Sequence, residues 1–320
     1  MATVITNLMS AIPWIGQDIV ELRNFTSINL RDYCLCSILP TIGTVNVNAL
    51  KKGNKSVRLN KEKYLSIPPS FISFLVGLID GDGYIQISKT TKGFIAIKLV
   101  VSIHLDDIST LQYIHSVIGI GKITIYKDNK SPTCKLIINK TDLQEVLFPL
   151  LLHHKIFFLT ETRNNQFNTV MAIFKQEIKT FENIPSLNIV GKTFELPSNA
   201  KDYLLLSFFK NWVVGFTMAE GSFFIKSNND GCFQLKQTIH VNLFLSLKLL
   251  FNTTRKIEVE NNMYNQFSVT SKTDIQSVIN FFSFSGLHAL VGLKGISYAK
   301  WLNDLRISKR YGNLNYPLNK

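Results

Sequence analysis

Two stretches of this chain are near copies of one another, and a chain that repeats itself at long spacing builds two similar halves. Phe74-Leu-Val-Gly-Leu-Ile-Asp-Gly-Asp-Gly83 aligns with Trp212-Val-Val-Gly-Phe-Thr-Met-Ala-Glu-Gly221, with aromatic, aliphatic, small, acidic and glycine positions in step. Downstream of each copy, Lys140-Thr-Asp-Leu-Gln-Glu-Val146 resembles Lys272-Thr-Asp-Ile-Gln-Ser-Val278. Two matches in the same order define a tandem duplication.

Each copy predicts the same coarse order. An apolar helix spans about 70–82 and 208–220. Two strands follow, at 83–90 and 94–104, then at 221–228 and 232–241. A helix at 106–118 and 242–251 precedes two more strands, at 121–127 and 133–139, then at 255–260 and 266–271. A further helix starts at Thr141-Asp142 and at Thr273-Asp274, either residue serving as its cap. The last helix covers 163–180 and 290–307. The pattern reads as αββαββα twice, an α+β fold with two antiparallel sheets. The first repeat is placed at 70–182 and the second at 208–320. A linker at 183–207 carries Pro185, Gly191 and Pro197, and 22–69 reads as a partly disordered linker with a basic stretch at 51–63.

The helix chemistry is specific. Gly77 and Gly81 are four residues apart and share a helix face, as do Gly215 and Ala219. Small residues at this spacing let two helix backbones touch, which offsets the cost of about 1 kcal/mol of an interior glycine. Gly83 and Gly221 suit a left-handed helix end. Packing the two helices about a pseudo-two-fold axis sets Asp82 beside Glu220 at two helix C-termini, where the dipoles already disfavour negative charge. Such a pair calls for a hard cation, and Mg²⁺ with water and phosphate as its other ligands fits, an arrangement suited to phosphodiester hydrolysis. Either acid alone would read as a residue beside a glycine turn; the duplication favours the pair.

A net charge of +13 points to a polyanionic partner. Four scattered cysteines, Cys34, Cys36, Cys134 and Cys232, make neither a disulfide framework nor a zinc site. No stretch reads as a membrane span. The strands after each motif supply the expected nucleic-acid face: Tyr84, Gln86, Ser88, Lys89 and Lys98 in the first half, Lys226, Gln234, Lys236 and Thr238 in the second. Polar side chains on such a face read bases in a groove while lysines neutralise phosphates.

Leu75-Val-Gly-Leu-Ile-Asp-Gly-Asp-Gly83 resembles the LAGLIDADG signature of homing endonucleases and RNA maturases, with seven of nine positions identical, and Val213–Gly221 is a weaker second copy. The resemblance covers about 70–320. It implies a monomer whose motif helices form the interface through Gly77, Gly81, Gly215 and Ala219. It also implies metal binding by Asp82 and Glu220, with the carbonyls of Gly81 and Ala219 assisting. Met218 replaces the usual acid at the sixth motif position of the second copy. The family tends to carry a basic residue near the active site in each half, on the segment before the last helix. Lys294 falls on it in the second half, giving Asp82, Glu220 and Lys294 as the catalytic set. In the first half Asn165 stands where lysine is expected and Arg163 is offset, which implies a weakened first site.

Residues 2–21 are similar to a segment of mitochondrial cytochrome b, as an exon translated in frame with an intron would be. That implies a mitochondrial protein whose partners are the group I intron RNA of cytochrome b and duplex DNA at an intron insertion site. Three activities follow: a splicing maturase, a Mg²⁺-dependent homing endonuclease, and a DNA-binding relative without catalysis. The exon-like start favours the maturase, with DNA cleavage retained in weakened form.

Overall fold

A computed structural model describes residues 61–127 and 130–318, so the cytochrome b-like segment and most of the 22–69 linker lie outside the described residues. The first repeat runs α1 (Pro69–Asp82), β1 (Gly83–Lys89), β2 (Ile95–His104), α2 (Ile108–Ile118), β3 (Lys122–Tyr126), β4 (Thr133–Asn139), α3 (140–154, with a π turn at Leu143–Leu147) and α4 (Glu161–Lys175). The second runs α5 (Phe209–Glu220), β5 (Gly221–Ile225), β6 (Gly231–Thr238), α6 (Val241–Leu250), β7 (Glu258–Glu260), β8 (Tyr264–Val269), α7 (Lys272–Phe284) and α8 (Gly292–Ile307). The halves therefore share one order, and each closes with two helices, as the starts near Thr141-Asp142 and Thr273-Asp274 and the last helices at 163–180 and 290–307 predict. Between them, 183–207 contains short helices at Leu187–Val190 and Ala200–Leu205.

Each half has a four-stranded antiparallel sheet, in the orders β1-β2-β4-β3 and β5-β6-β8-β7. The alternation along the strands decides which face is covered. Ile85, Ile97, Leu99, Val101, Leu136 and Ile138 are buried beneath the first sheet, and Phe233, Leu235, Phe267 and Val269 beneath the second. Helices α2 and α4 lie on the first sheet, and α6, α7 and α8 on the second. The second core is built on aromatic rings, with Phe223 stacked on Phe233 at 5.0 Å and Trp301 against Phe223 at 5.3 Å.

Local chemistry corrects several boundaries. The caps of α3 and α7 are Asn139 and Ser271, two or three residues ahead of the Thr-Asp pairs. Asn139 Oδ1 accepts from the amides of Thr141 and Asp142, and Ser271 Oγ from that of Asp274. The Asp in each pair instead accepts a bond from the cap side chain, at 2.8 Å and 2.7 Å. Strand β8 starts at Tyr264 because Asn261 and Asn262 both take positive φ, 52° and 54°, and close a tight hairpin turn. Gly83 and Gly221 are extended (φ −106° and −87°), not left-handed. Space fixes them instead: a Cβ on Gly83 would lie 2.7 Å from Ile79 Cγ2, and one on Gly221 2.4 Å from Thr217 Cγ2.

Candidate active site

The molecule is organised around α1 against α5. Both helices are buried almost all round, as a helix with sheets on its flanks and a second helix on its face must be. Their backbones are in direct contact. A Cβ on Gly77 would sit 2.0 Å from the Trp212 carbonyl oxygen, and one on Gly215 would sit 1.8 Å from that of Phe74. One turn on, a Cβ on Gly81 would lie 2.2 Å from the Ala219 Cβ and 3.3 Å from Glu220 Oε1. Gly77 and Gly215 thus each meet the backbone of the opposite helix, Gly81 meets Ala219, and the residue after each member of that last pair is an acid.

Asp82 and Glu220 are drawn together by this packing, and neither is comfortable as an anion. Burial, with the nearby Asp107 charge, pushes Asp82 up to about 6, while Lys294 partly offsets it. Burial and the charge of Asp82 push Glu220 up to about 7, against Lys294, Arg163 and a 2.7 Å hydrogen bond from Gln237 Nε2. Lys294 donates from Nζ to the Gly221 carbonyl and faces Asp82, Asp107 and Glu220, burial lowering its pKa. A cavity of about 400 Å³ opens beside this group, lined by Asp82, Asp107, Met218 and Lys294 among others.

The basic group of the first half is Arg163, not Asn165. Helices α4 and α8 begin after Thr160 and Val291, and the bonds Asn164 N to Thr160 O and Gly295 N to Val291 O fix the same register. Arg163 then matches Lys294, and the buried Phe167, Val170 and Met171 match Tyr298, Trp301 and Leu302. Arg163 faces Asp80 and Glu220, burial lowers its pKa, and its Nε is buried without a hydrogen-bond partner among the described residues. The expectation of a first site lacking a cation at this place is therefore corrected. The last helix starts two residues earlier than its polar sequence suggests.

Two further acids have structural work that the sequence does not announce. Asp80, at the sixth motif position, is fully buried and accepts from the amides of Leu159 (2.8 Å) and Thr160 (3.1 Å), from the Thr160 hydroxyl and from Trp212 Nε1 (2.7 Å). Burial still outweighs these donors and pushes it up to about 6. It grips the chain at the entry of α4. Asp107, at the end of a 3-10 turn after β2, accepts from the amide of Leu293 at 2.8 Å, in the first turn of α8 of the other half.

The open faces of the sheets are polar. Tyr84, Gln86 and Ser88 share one face with Lys98, which is exposed opposite Gln86. Lys122 and Lys135 extend that face on β3 and β4, Lys135 lying over the Tyr126 ring at 4.9 Å. Lys89 does not belong to it. Its parity puts it with Ile85 and Ile87 on the other side, and Glu182 pairs with it. In the second half Ser222, Phe224, Gln234, Lys236 and Thr238 share the open face, and the exposed Lys226 continues it just past β5. Lys236 is paired with Glu260 and lies over the Tyr264 ring at 5.2 Å, so its charge is partly spent within the protein.

The family model described as LAGLIDADG endonuclease matches residues 75–174, from within α1 into α4 of the first half. Over residues 75–174 the chain is similar to the LAGLIDADG endonuclease family. A protein named probable intron-encoded endonuclease aI3, from Dictyostelium discoideum, is 26% identical over 215 residues, covering 65% of this chain and 87% of its own. An uncharacterized cox1 intron-2 protein of Schizosaccharomyces pombe is 26% identical over 261 residues, covering 79% and 71%. Among solved structures, I-SmaMI bound to uncleaved DNA in the presence of calcium ions superposes with a TM-score of 0.53 at 19% identity, covering 74% of this chain and 91% of that one. The I-LtrWI LAGLIDADG homing endonuclease bound to target DNA gives 0.55 at 20%, covering 75% and 88%. These likenesses fix the fold as that of two LAGLIDADG halves. Among the described residues no helix is long and apolar enough to cross a membrane.

Proposed function

We propose that this chain is an intron-encoded endonuclease that hydrolyses both strands of a specific DNA duplex, working as a monomer in the mitochondrion with Mg²⁺. The observation that carries the proposal is the Asp82–Glu220 pair. Two acids are forced together at the ends of helices in backbone contact, and burial raises both pKa values, the charge of Asp82 adding to the rise at Glu220 and Lys294 offsetting only part of it. A fold selected for stability alone has no use for such a pair, and perturbed acids of this kind mark reactive sites.

The donors fit a hard divalent ion. Carboxylate oxygens of Asp82 and Glu220 would hold it, with the carbonyls of Gly81 and Ala219, which lie past the last intrahelical bonds made to Ile79 and Thr217. No group of three or more His, Cys, Asp or Glu side chains gathers to bind metal among the described residues. Mg²⁺ held by two carboxylates would take water and phosphate as its other ligands. When bound, the ion supplies charge stabilisation and an acidified water. The chain's own residues do the rest. Gln237 orients Glu220, and Lys294 and Arg163 offer cationic charge where the phosphoryl oxygens become more negative. Water adds to phosphorus, the bond to the leaving sugar oxygen breaks, and that oxygen takes up a proton. The polar faces carrying Gln86, Lys98, Gln234 and Thr238 supply base and phosphate contacts.

The test is selection of cut molecules from a randomised duplex library with the full chain and Mg²⁺. Defined ends that vanish in EDTA and in Asp82→Asn are expected. A folded chain that cuts no duplex would overturn the proposal. A maturase role in cytochrome b splicing is favoured separately by the cytochrome b-like residues 2–21. It predicts that Asp82→Asn/Glu220→Gln still promotes splicing of the precursor RNA, since intron binding needs no cut. Loss of splicing in that folded variant would tie the two activities to one site.

A further inference from the structure

Resting on the endonuclease reading above, we infer that Asp107 caps α8 at a leading amide and so positions Lys294 from the opposite half of the molecule, where Met218 leaves the last helix without the anchoring acid that Asp80 gives α4. The sixth motif position does a defined job in the first half. There Asp80 holds the entry of α4, three residues before Arg163, through the amides of Leu159 and Thr160. In the second half this position is Met218, which has no oxygen to offer, and Val291 at the cap of α8 supplies no side-chain bond. The leading amides of a helix need an acceptor. Asp107 Oδ1 provides it, accepting at 2.8 Å from Leu293, the residue next to Lys294 and 186 positions away in sequence.

The contact is built for. Gly292 takes φ +53°, and a Cβ there would lie 2.1 Å from Asp107 Oδ1 and 2.2 Å from Thr110 Oγ1. Only glycine has both the backbone freedom and the absence of a side chain that let the carboxylate reach the helix. Strand register gives the converse. Val101 and Leu235 face Gly83 and Gly221 as equivalents, so the place of Asp107 in the second half falls on Val241, which has no carboxylate. Each last helix therefore has one acid at its entry, but the acids come from different places. Asp80 serves its own half, whereas Asp107 crosses the interface.

Because a duplex has antiparallel strands related by a two-fold axis, the pseudo-two-fold halves each present one cationic group, Arg163 or Lys294, to one strand. Misplacing Lys294 should then slow one strand and spare the other, which a general loss of stability cannot do. In the full chain, Asp107→Ala is expected to slow cutting of a single strand about tenfold, the worth of a lost helix cap in rate terms, so that nicked duplex accumulates. Asp107→Asn keeps the acceptor and should leave the ratio of the two strand rates as in wild type, whatever the lost charge does to both rates together. Hydrogen exchange at the Leu293 amide should be protected in wild type and in Asp107→Asn, and unprotected in Asp107→Ala. Equal slowing of both strands by Asp107→Ala, or unchanged Leu293 protection, overturns the inference. If the wild type cuts no DNA, the endonuclease reading falls by itself and Leu293 exchange still decides the role of Asp107.

Discussion

Adding a single methyl at Gly77 should separate the two halves of this protein and so disarm it. By helix propensity alone, Gly77→Ala would stabilise α1 by about 1 kcal/mol. The structure argues for the opposite sign. The new Cβ would lie 2.0 Å from the Trp212 carbonyl oxygen and 2.8 Å from the Phe216 nitrogen, whereas ordinary contact begins at 3.4 Å. The obstacle is backbone, which cannot turn aside as a side chain can, so α1 and α5 must part by about 1.4 Å. Overpacking in a core costs about 1–3 kcal/mol when side chains can adjust. Here the parting also loosens contacts along two apolar helices. A net destabilisation of about 2 kcal/mol or more is expected, read as a lower urea midpoint with an unchanged slope. Cleavage should suffer more than stability, because the same movement pulls Asp82 from Glu220, and a displacement of about 1 Å at a reacting centre can cost roughly 100-fold in rate. Gly215→Ala, whose Cβ would meet the Phe74 carbonyl at 1.8 Å, should behave alike. If Gly77→Ala unfolds at the same or a higher urea concentration than wild type, close helix contact is not what the glycines are for.

Three other outcomes follow from the electrostatics. Asp82→Asn and Glu220→Gln should abolish cutting yet stabilise the metal-free protein. Both folded pKa values are raised, to about 6 and about 7, so the acids cost stability as pH climbs from about 4 to 7. The advantage of each variant, about 2–3 kcal/mol at full ionisation, should therefore open over that window in urea titrations with EDTA; a gap independent of pH would refute it. His288 is half-buried, stacked on Phe74 at 4.0 Å, its Nε2 is 2.9 Å from the Tyr113 hydroxyl, and desolvation lowers its pKa to about 4. Its neutral form contributes stability in full above pH 6.5 and loses it as pH falls to 4, so the margin of wild type over His288→Gln should shrink by about 3 kcal/mol across that range; a constant margin would count against a neutral imidazole. On the proposed DNA face, Lys98→Ala should reduce the slope of log affinity against log salt by about 0.9, as loss of one phosphate contact does, whereas Lys89→Ala, already paired with Glu182, should leave it unchanged.

What could be read in the chain, and what could not, divides by the distance over which the causes act. The glycine pairs, the acids beside them and the two sheets follow from local spacing and a repeat, and both are written in the order of residues. The alternation that puts Tyr84 and Gln86 on the open face also excludes Lys89, so that misplacement arose from weighing charge above parity. Arg163 is different. Its register depends on where α4 begins, and Thr160-Glu161 is a weak start signal because the acid that secures this entry, Asp80, lies 80 residues upstream in the motif helix. Asp107 was hidden for the same reason: it has no counterpart in the other half, and its partner Leu293 is remote. The clue that could have found it was a conflict within the repeat itself. Met218 removes an acid that the first half uses, and Gly292 opens the last helix where the first half has Glu161. A duplicated motif that loses a polar group in one copy leaves that helix entry without its anchor, and a glycine at the start of the affected helix marks where an acid from elsewhere reaches its leading amides. Asymmetries between repeats are thus where such a sequence conceals contacts that its symmetry cannot reveal.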